Sequence, residues 1–122
     1  WMASGRPVRA VMGDLAFLHD AMSMGRGLRE EEADLQVIVV DDGGGAIFSR
    51  LEYAHTTAPS RFERLFTTPQ CANISELAAA LGARVRIPED VPALQTLLAE
   101  PVGGLSVVIW TVEGHMPNAR TT

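Results

Sequence analysis

Lysine is absent from this chain of 122 residues, and every basic side chain in it is an arginine. That excludes mechanisms built on a Schiff-base lysine or a P-loop lysine. It also removes a response-regulator reading of an acidic turn after the first strand. Cysteine is nearly absent as well. Cys71 stands alone, so the chain makes no intramolecular disulfide and no cysteine metal cluster, which suits a reducing, cytoplasmic setting. No apolar run approaches the ~18 residues of a membrane span, and no basic-then-apolar leader opens the sequence. A net charge of -5 argues against a nucleic-acid partner.

What is present is an ordinary globular composition. Hydrophobic residues make up 47% and charged residues 20%, which separates the chain from disordered sequences. Its length supports one domain, whose folding buries about two thirds of the surface the unfolded chain exposes.

Residues 8–12 and 35–40 are short valine-rich runs, and 105–111 is a third. Such runs suit strands covered on both faces in a parallel sheet. Between the first two, Phe17, Leu18, Ala21 and Met24 recur at helical spacing, with Gly25 and Gly27 as stop signals. The expectation is a β-α-β unit with a helix over 16–24. Asn73 followed by Glu76 predicts a capped helix closed by Gly82. Residues 84–87 fit a brief strand, and 90–100 a further helix ended by Pro101 and Gly103-Gly104. The fold class expected is therefore α/β, with a mainly parallel central sheet and flanking helices. The stretch 43–73 has the weakest periodicity, although Phe62, Leu65 and Phe66 at i, i+3 and i+4 predict an amphipathic helix packed on the core.

Two acidic turns carry the chemistry. Gly13-Asp14 closes the first run, and Asp41-Asp42-Gly43-Gly44-Gly45 closes the second. In open α/β sheets the loops at the carboxyl ends of the strands line the ligand crevice. Hard cations such as Mg²⁺ take carboxylate and carbonyl oxygens together with substrate phosphates. Taken alone, Asp14 fits a helix N-cap. Three consecutive glycines are costly to order, and backbone that must approach a ligand explains that cost. His19, beside Asp20, shows no ligand spacing with His55 or His115, and Glu30-Glu31-Glu32 fits a solvated loop.

Several of these residues together resemble a known family. They are Ala3-Ser4-Gly5-Arg6-Pro7, Gly13-Asp14-Leu15-Ala16-Phe17-Leu18-His19-Asp20, the Gly-Gly-Gly-Ala-Ile-Phe of 43–48, Leu51-Glu52, and Phe62-Glu63-Arg64 with Thr68-Pro69. This pattern resembles the C-terminal cofactor-binding domain of 2-succinyl-5-enolpyruvyl-6-hydroxy-3-cyclohexene-1-carboxylate synthase, a thiamine-diphosphate transferase of menaquinone biosynthesis. The resemblance implies a thiamine-diphosphate-binding fold in truncated form, with Mg²⁺, or Mn²⁺ in its place, bridging protein and diphosphate. It implies cofactor contacts from Gly13, Asp14, Leu15, Ala16, Gly43, Gly44 and Gly45, and an apolar substrate-side lining from Ile47, Phe48 and Leu51. The implied reaction decarboxylates 2-oxoglutarate and adds its succinyl unit to isochorismate, with no catalytic residue inside this chain.

Three departures qualify what is implied. The family usually has Asn-Asn or Asn-Asp where this chain has Asp41-Asp42, and matching Ile47-Phe48 without a gap puts Gly43 at a metal-ligand position. A one-residue shift makes the metal donors Asp14, Asp42 and a carbonyl near Gly44, the register preferred here because a carboxylate serves Mg²⁺ well. Ala16 stands where a hydroxyl residue is common, which removes one diphosphate hydrogen bond. Finally, family members are far longer and carry an N-terminal pyrimidine-binding domain, with the cofactor between two subunits. The expectation is thus residues 1–122 as one C-terminal diphosphate- and metal-binding domain of a longer, cytoplasmic, homo-oligomeric enzyme, inactive by itself and prone to self-association. Two alternatives remain open. One is a non-catalytic α/β binding or oligomerisation module that has lost the cofactor; the other is a domain of another thiamine-diphosphate enzyme, such as an acetolactate-synthase relative.

Overall fold

The computed structural model describes residues 4–112; Trp1, Met2, Ala3, His115 and Arg120 lie outside the described residues. Four strands, β1 (Val8–Gly13), β2 (Leu35–Asp41), β3 (Arg84–Arg86) and β4 (Leu105–Thr111), form one sheet in the order β1-β2-β4-β3. Every pairing is parallel, so the α/β expectation holds. The helices are α1 (Asp14–Asp20), α2 (Tyr53–Thr56), α3 (Pro59–Phe62), α4 (Ile74–Ala80) and α5 (Val91–Ala99).

Alternation along the strands sorts the side chains onto two faces. Val37 and Val39 of β2 and Val107 and Ile109 of β4 point to the face where Phe17 and Ala21 pack, joined by Ile74 and Ala78 of α4. This is the main core, and Phe17 is 1% exposed within it. The other face carries Arg9, Gln36 and Arg86. The Arg9 guanidinium donates to Gln36 Oε1 at 2.9 Å and to the Glu100 carbonyl at 2.8 Å, while Arg86 pairs with the Glu100 carboxylate at 3.5 Å. These contacts tie the end of α5 to that face.

Coverage on both faces holds for β2 and β4 but not for β1. Burial along β1 alternates, and Val11 is 69% exposed, because β1 is an edge strand among the described residues. The first helix is also shorter than its periodicity predicts. It begins at Asp14 and tightens into a 3₁₀ turn over Ala21–Met24, where Ser23 Oγ donates to Asp20 Oδ2 at 3.2 Å. The helix predicted around 61–66 is broken too. After α3 the chain widens into a π turn, Glu63–Thr67, which carries more residues per turn. Phe62 stays buried, whereas Leu65 is 61% exposed.

The cap expected at Asn73 is in place, and the helix expected over 90–100 starts one residue later, with Asp90 as its cap. Asn73 accepts from the Glu76 N–H at 3.2 Å, and Asp90 accepts from the Ala93 N–H at 2.7 Å. Replacing Asn73 by alanine removes the acceptor at the start of α4, and urea denaturation is expected to show a loss of about 1 kcal/mol. Glu32 and Asp34 do more than face solvent. The Gly104 N–H donates to Asp34 Oδ1 at 2.7 Å and the Leu105 N–H to Glu32 Oε1 at 3.3 Å, so the acidic segment before β2 also holds the entry to β4.

Candidate functional site

Register brings the two acidic turns together. Gly13 at the end of β1 lies opposite Val40 of β2, so the next residues, Asp14 and Asp41, leave adjacent parallel strands side by side. Asp14 is 6% exposed and Asp41 is 7% exposed. Their carboxyl groups are in hydrogen-bond contact, and the charge of Asp42 acts on Asp14 as well. Burial pushes the Asp14 carboxyl above the ordinary carboxylate range, against the lowering effect of the Leu15 N–H. Asp42 and Asp41, as like charges, push it the same way as burial.

Asp14 is not a helix N-cap. Gly13 occupies that position in extended conformation, with no side-chain cap, and Asp14 is the first helical residue. Its Oδ1 accepts from the Leu15 N–H at 2.9 Å. The acids of the second turn are aimed by their own loop: the Gly43 N–H donates to Asp41 Oδ1 at 3.1 Å and the Gly44 N–H to Asp42 Oδ1 at 3.2 Å. Such side-chain-to-backbone turns fix carboxylates near a strand end.

The three glycines serve different ends. A Cβ on Gly44 would stand 2.3 Å from the Thr67 carbonyl oxygen, and one on Gly45 would stand 2.7 Å from the Phe66 carbonyl oxygen. The chain's own π turn approaches these two residues closely. The Gly45 N–H donates to the Thr67 carbonyl at 2.7 Å, so Thr67, 2% exposed, anchors the acidic turn. Sequence reasoning missed this residue, and the adjacent Thr68-Pro69 gave no signal of it. Gly43 has a φ of +84° with open space around it, and turn conformation alone explains glycine there. Gly13 has neither reason: its φ is −76° and nothing lies within 4 Å of a Cβ built on it.

Ile47, Phe48 and Leu51 lie on or just after a 3₁₀ segment, Ala46–Arg50, and are 73%, 39% and 42% exposed. Phe66 stacks on Phe62 with ring centroids 4.9 Å apart and also contacts Phe48 and Tyr53 at 6.3 Å and 6.2 Å. This aromatic group fixes the apolar segment beside the glycine turn. Ala16 is exposed. Two open surface grooves, one between Arg86 and Glu100 and one around Glu63 and Thr68, include none of the predicted site residues.

Among the described residues no three His, Cys, Asp or Glu side chains are grouped to hold a metal by themselves. Also among the described residues, no helix is long and apolar enough to cross a membrane.

No protein-family model matches the sequence. Individual relatives do. The chain is 41% identical over 100 residues to 2-succinyl-5-enolpyruvyl-6-hydroxy-3-cyclohexene-1-carboxylate synthase of Leifsonia xyli subsp. xyli, covering 82% of this chain and 17% of that protein. It is 43% identical over 103 residues to the protein of the same name from Kineococcus radiotolerans, covering 84% and 18%. The match to the Nocardioides sp. protein of that name is 39% over 110 residues, covering 87% and 20%. Among solved structures, benzoylformate decarboxylase from Polynucleobacter necessarius superposes with a TM-score of 0.71 at 20% identity, over 95% of this chain and 21% of that one. The superposition speaks for the fold alone. The chain spans no more than about a fifth of the length of these relatives. Over most of its own length, then, this chain is homologous to one stretch of the 2-succinyl-5-enolpyruvyl-6-hydroxy-3-cyclohexene-1-carboxylate synthases.

Proposed function

We propose that this chain is the diphosphate- and metal-holding half-site of a thiamine-diphosphate synthase that transfers the succinyl unit of 2-oxoglutarate to isochorismate in menaquinone biosynthesis. The observation that carries the reading is the meeting of Asp14 with Asp41 and Asp42 at the carboxyl ends of two adjacent parallel strands. Buried acids crowded together call for a compensating positive charge, and a hard divalent cation supplies it. Asp14, Asp42 and the Gly44 carbonyl are the metal donors in this reading, with Mg²⁺ or Mn²⁺ as the ion. The open space beside Gly13 admits a diphosphate to the mouth of the turns, where the Leu15 and Ala16 backbone flanks it. The amides of Gly43, Gly44 and Gly45 are engaged by Asp41, Asp42 and Thr67. The glycine turn therefore contributes through its carbonyls and its shape rather than through those N–H groups.

When bound, thiamine diphosphate supplies the carbanion chemistry. The chain's own part is to orient it and to exclude water on one side with Ile47, Phe48 and Leu51. In this reading residues 1–122 act as one domain, and a pyrimidine-binding part comes from another segment or subunit of a cytoplasmic homo-oligomer. The exposure of Val11, Ile47, Tyr53 and Leu65 favours such contacts.

Calorimetric titration of thiamine diphosphate into the chain tests this. Binding is expected in Mg²⁺ and not in EDTA, with no turnover of 2-oxoglutarate and isochorismate by the chain alone. Absence of binding even with a pyrimidine-binding partner supplied would favour a non-catalytic module that kept the fold, a reading consistent with glycine amides already satisfied internally. Turnover by the chain alone would refute the half-site.

A further inference from the structure

The groove beside the π turn has no part in the proposed cofactor site. It holds about 530 Å³ and is lined by Ser60, Glu63, Arg64, Thr68, Pro69 and Gln70. Three of these side chains carry donors that the fold does not use. Among the described residues, the Arg64 guanidinium and the Ser60 and Thr68 hydroxyls make no hydrogen bond or ion pair.

Thr68 supplies an independent observation. Its backbone is left-handed, with φ 40° and ψ 57°, a conformation in which a β-branched residue is strained. No other non-glycine residue among those described has a positive φ. The conformation is pinned from both sides, because the Thr68 N–H donates to the Glu63 carbonyl at 2.7 Å and the Thr68 carbonyl accepts from Gln70 Nε2 at 2.7 Å. Glycine would meet the same backbone demand without strain. A threonine there points to a use for its side chain, and that side chain stands on the groove wall.

Charge narrows the ligand. Arg64 gives the groove a cation whose planar fork of donors matches a carboxylate, while Glu63 gives it an anion. A dianion gains from the first and loses to the second. A carboxylate that also carries a hydroxyl satisfies both.

We propose that this groove binds a small hydroxy acid, its carboxylate held by Arg64, Ser60 and Thr68 and its hydroxyl donating to Glu63. The proposal does not depend on the reading of the acidic turns, because none of these side chains takes part there.

The test records ¹⁵N–¹H spectra of the 122-residue chain during titration with L-lactate, with propionate, which lacks the hydroxyl, and with inorganic phosphate. L-lactate is expected to give saturable shifts centred on the amides of residues 60–64, 68 and 70. It should bind about tenfold more tightly than propionate, the scale of one hydrogen bond to a charged group, and more tightly than phosphate. Arg64→Gln, at an exposed side chain, should keep the fold and weaken L-lactate binding about tenfold. Thr68→Gly should leave the urea midpoint unchanged or raised, because the strain is gone, and still weaken L-lactate binding. A merely structural threonine would not give that split. Absence of saturable shifts at these amides overturns the proposal, as does unchanged L-lactate affinity in Arg64→Gln or Thr68→Gly. Propionate or phosphate binding as tightly as L-lactate overturns the assignment of a hydroxy acid.

Discussion

Gly44→Ala is expected to destabilise the chain by about 3 kcal/mol or to force the acidic turn out of place, because two costs coincide there. The residue has a φ of +134°, where side chains are strained, and the added Cβ would stand 2.3 Å from the Thr67 carbonyl oxygen. That oxygen belongs to backbone held by the Gly45 N–H at 2.7 Å, so it cannot move aside without breaking the anchor. Gly43→Ala meets open space at a φ of +84° and should cost only about 1 kcal/mol, the backbone part alone. Gly13→Ala has neither strain nor a neighbour within 4 Å and should leave stability unchanged or raised by a few tenths of a kcal/mol. Its effect is expected on diphosphate binding instead. Urea midpoints at constant m-value rank the three variants. Equal losses at Gly13 and Gly44 would contradict this division of roles.

Asp14→Asn is expected to raise the melting temperature of the metal-free chain at neutral pH and to abolish any rise caused by Mg²⁺ or Mn²⁺. Burial, with Asp42 and Asp41 adding to it, raises the Asp14 carboxyl above its ordinary value in the folded chain. Below the unfolded-state value both states hold the proton and this group imposes no penalty. As pH rises past that value the unfolded chain ionises first, and stability drains away until the folded group ionises too. Above the unfolded-state value the folded chain carries this penalty, so an uncharged amide relieves it. A bound cation relieves it differently, by mass action on the folded state, worth about 2.7 kcal/mol at a hundredfold excess over the dissociation constant. Differential scanning calorimetry in EDTA and in Mg²⁺ separates the two effects. A variant less stable in EDTA that kept its cation-dependent shift would contradict the assignment of Asp14.

The parts of the fold that depend on local chemistry were legible in the sequence. Asn73 caps its helix because a side-chain oxygen needs only the N–H three residues on. The valine-rich runs became parallel strands because burial on two faces demands such residues. What the sequence hid depends on contacts made across it. The open face of β1 follows from its place at the sheet edge, which no local pattern records. Leu65 faces outward because one π turn shifts the helical phase, and that turn exists to bring the Thr67 carbonyl to Gly45. The glycines of the acidic turn signalled close approach, and at Gly44 and Gly45 the backbone of the π turn is one such neighbour. At the candidate site, the meeting of Asp14 with the second turn was anticipated, while the direct contact with Asp41 came from strand register.

The most direct measurement is an ¹⁵N–¹H correlation spectrum of the labelled chain titrated with thiamine diphosphate and Mg²⁺. The account predicts the largest saturable shifts at the amides of 13–16 and 41–45, lost in Asp14→Asn. Saturable shifts centred instead on the groove between Arg86 and Glu100, or no shifts at all with a pyrimidine-binding partner present, would contradict it.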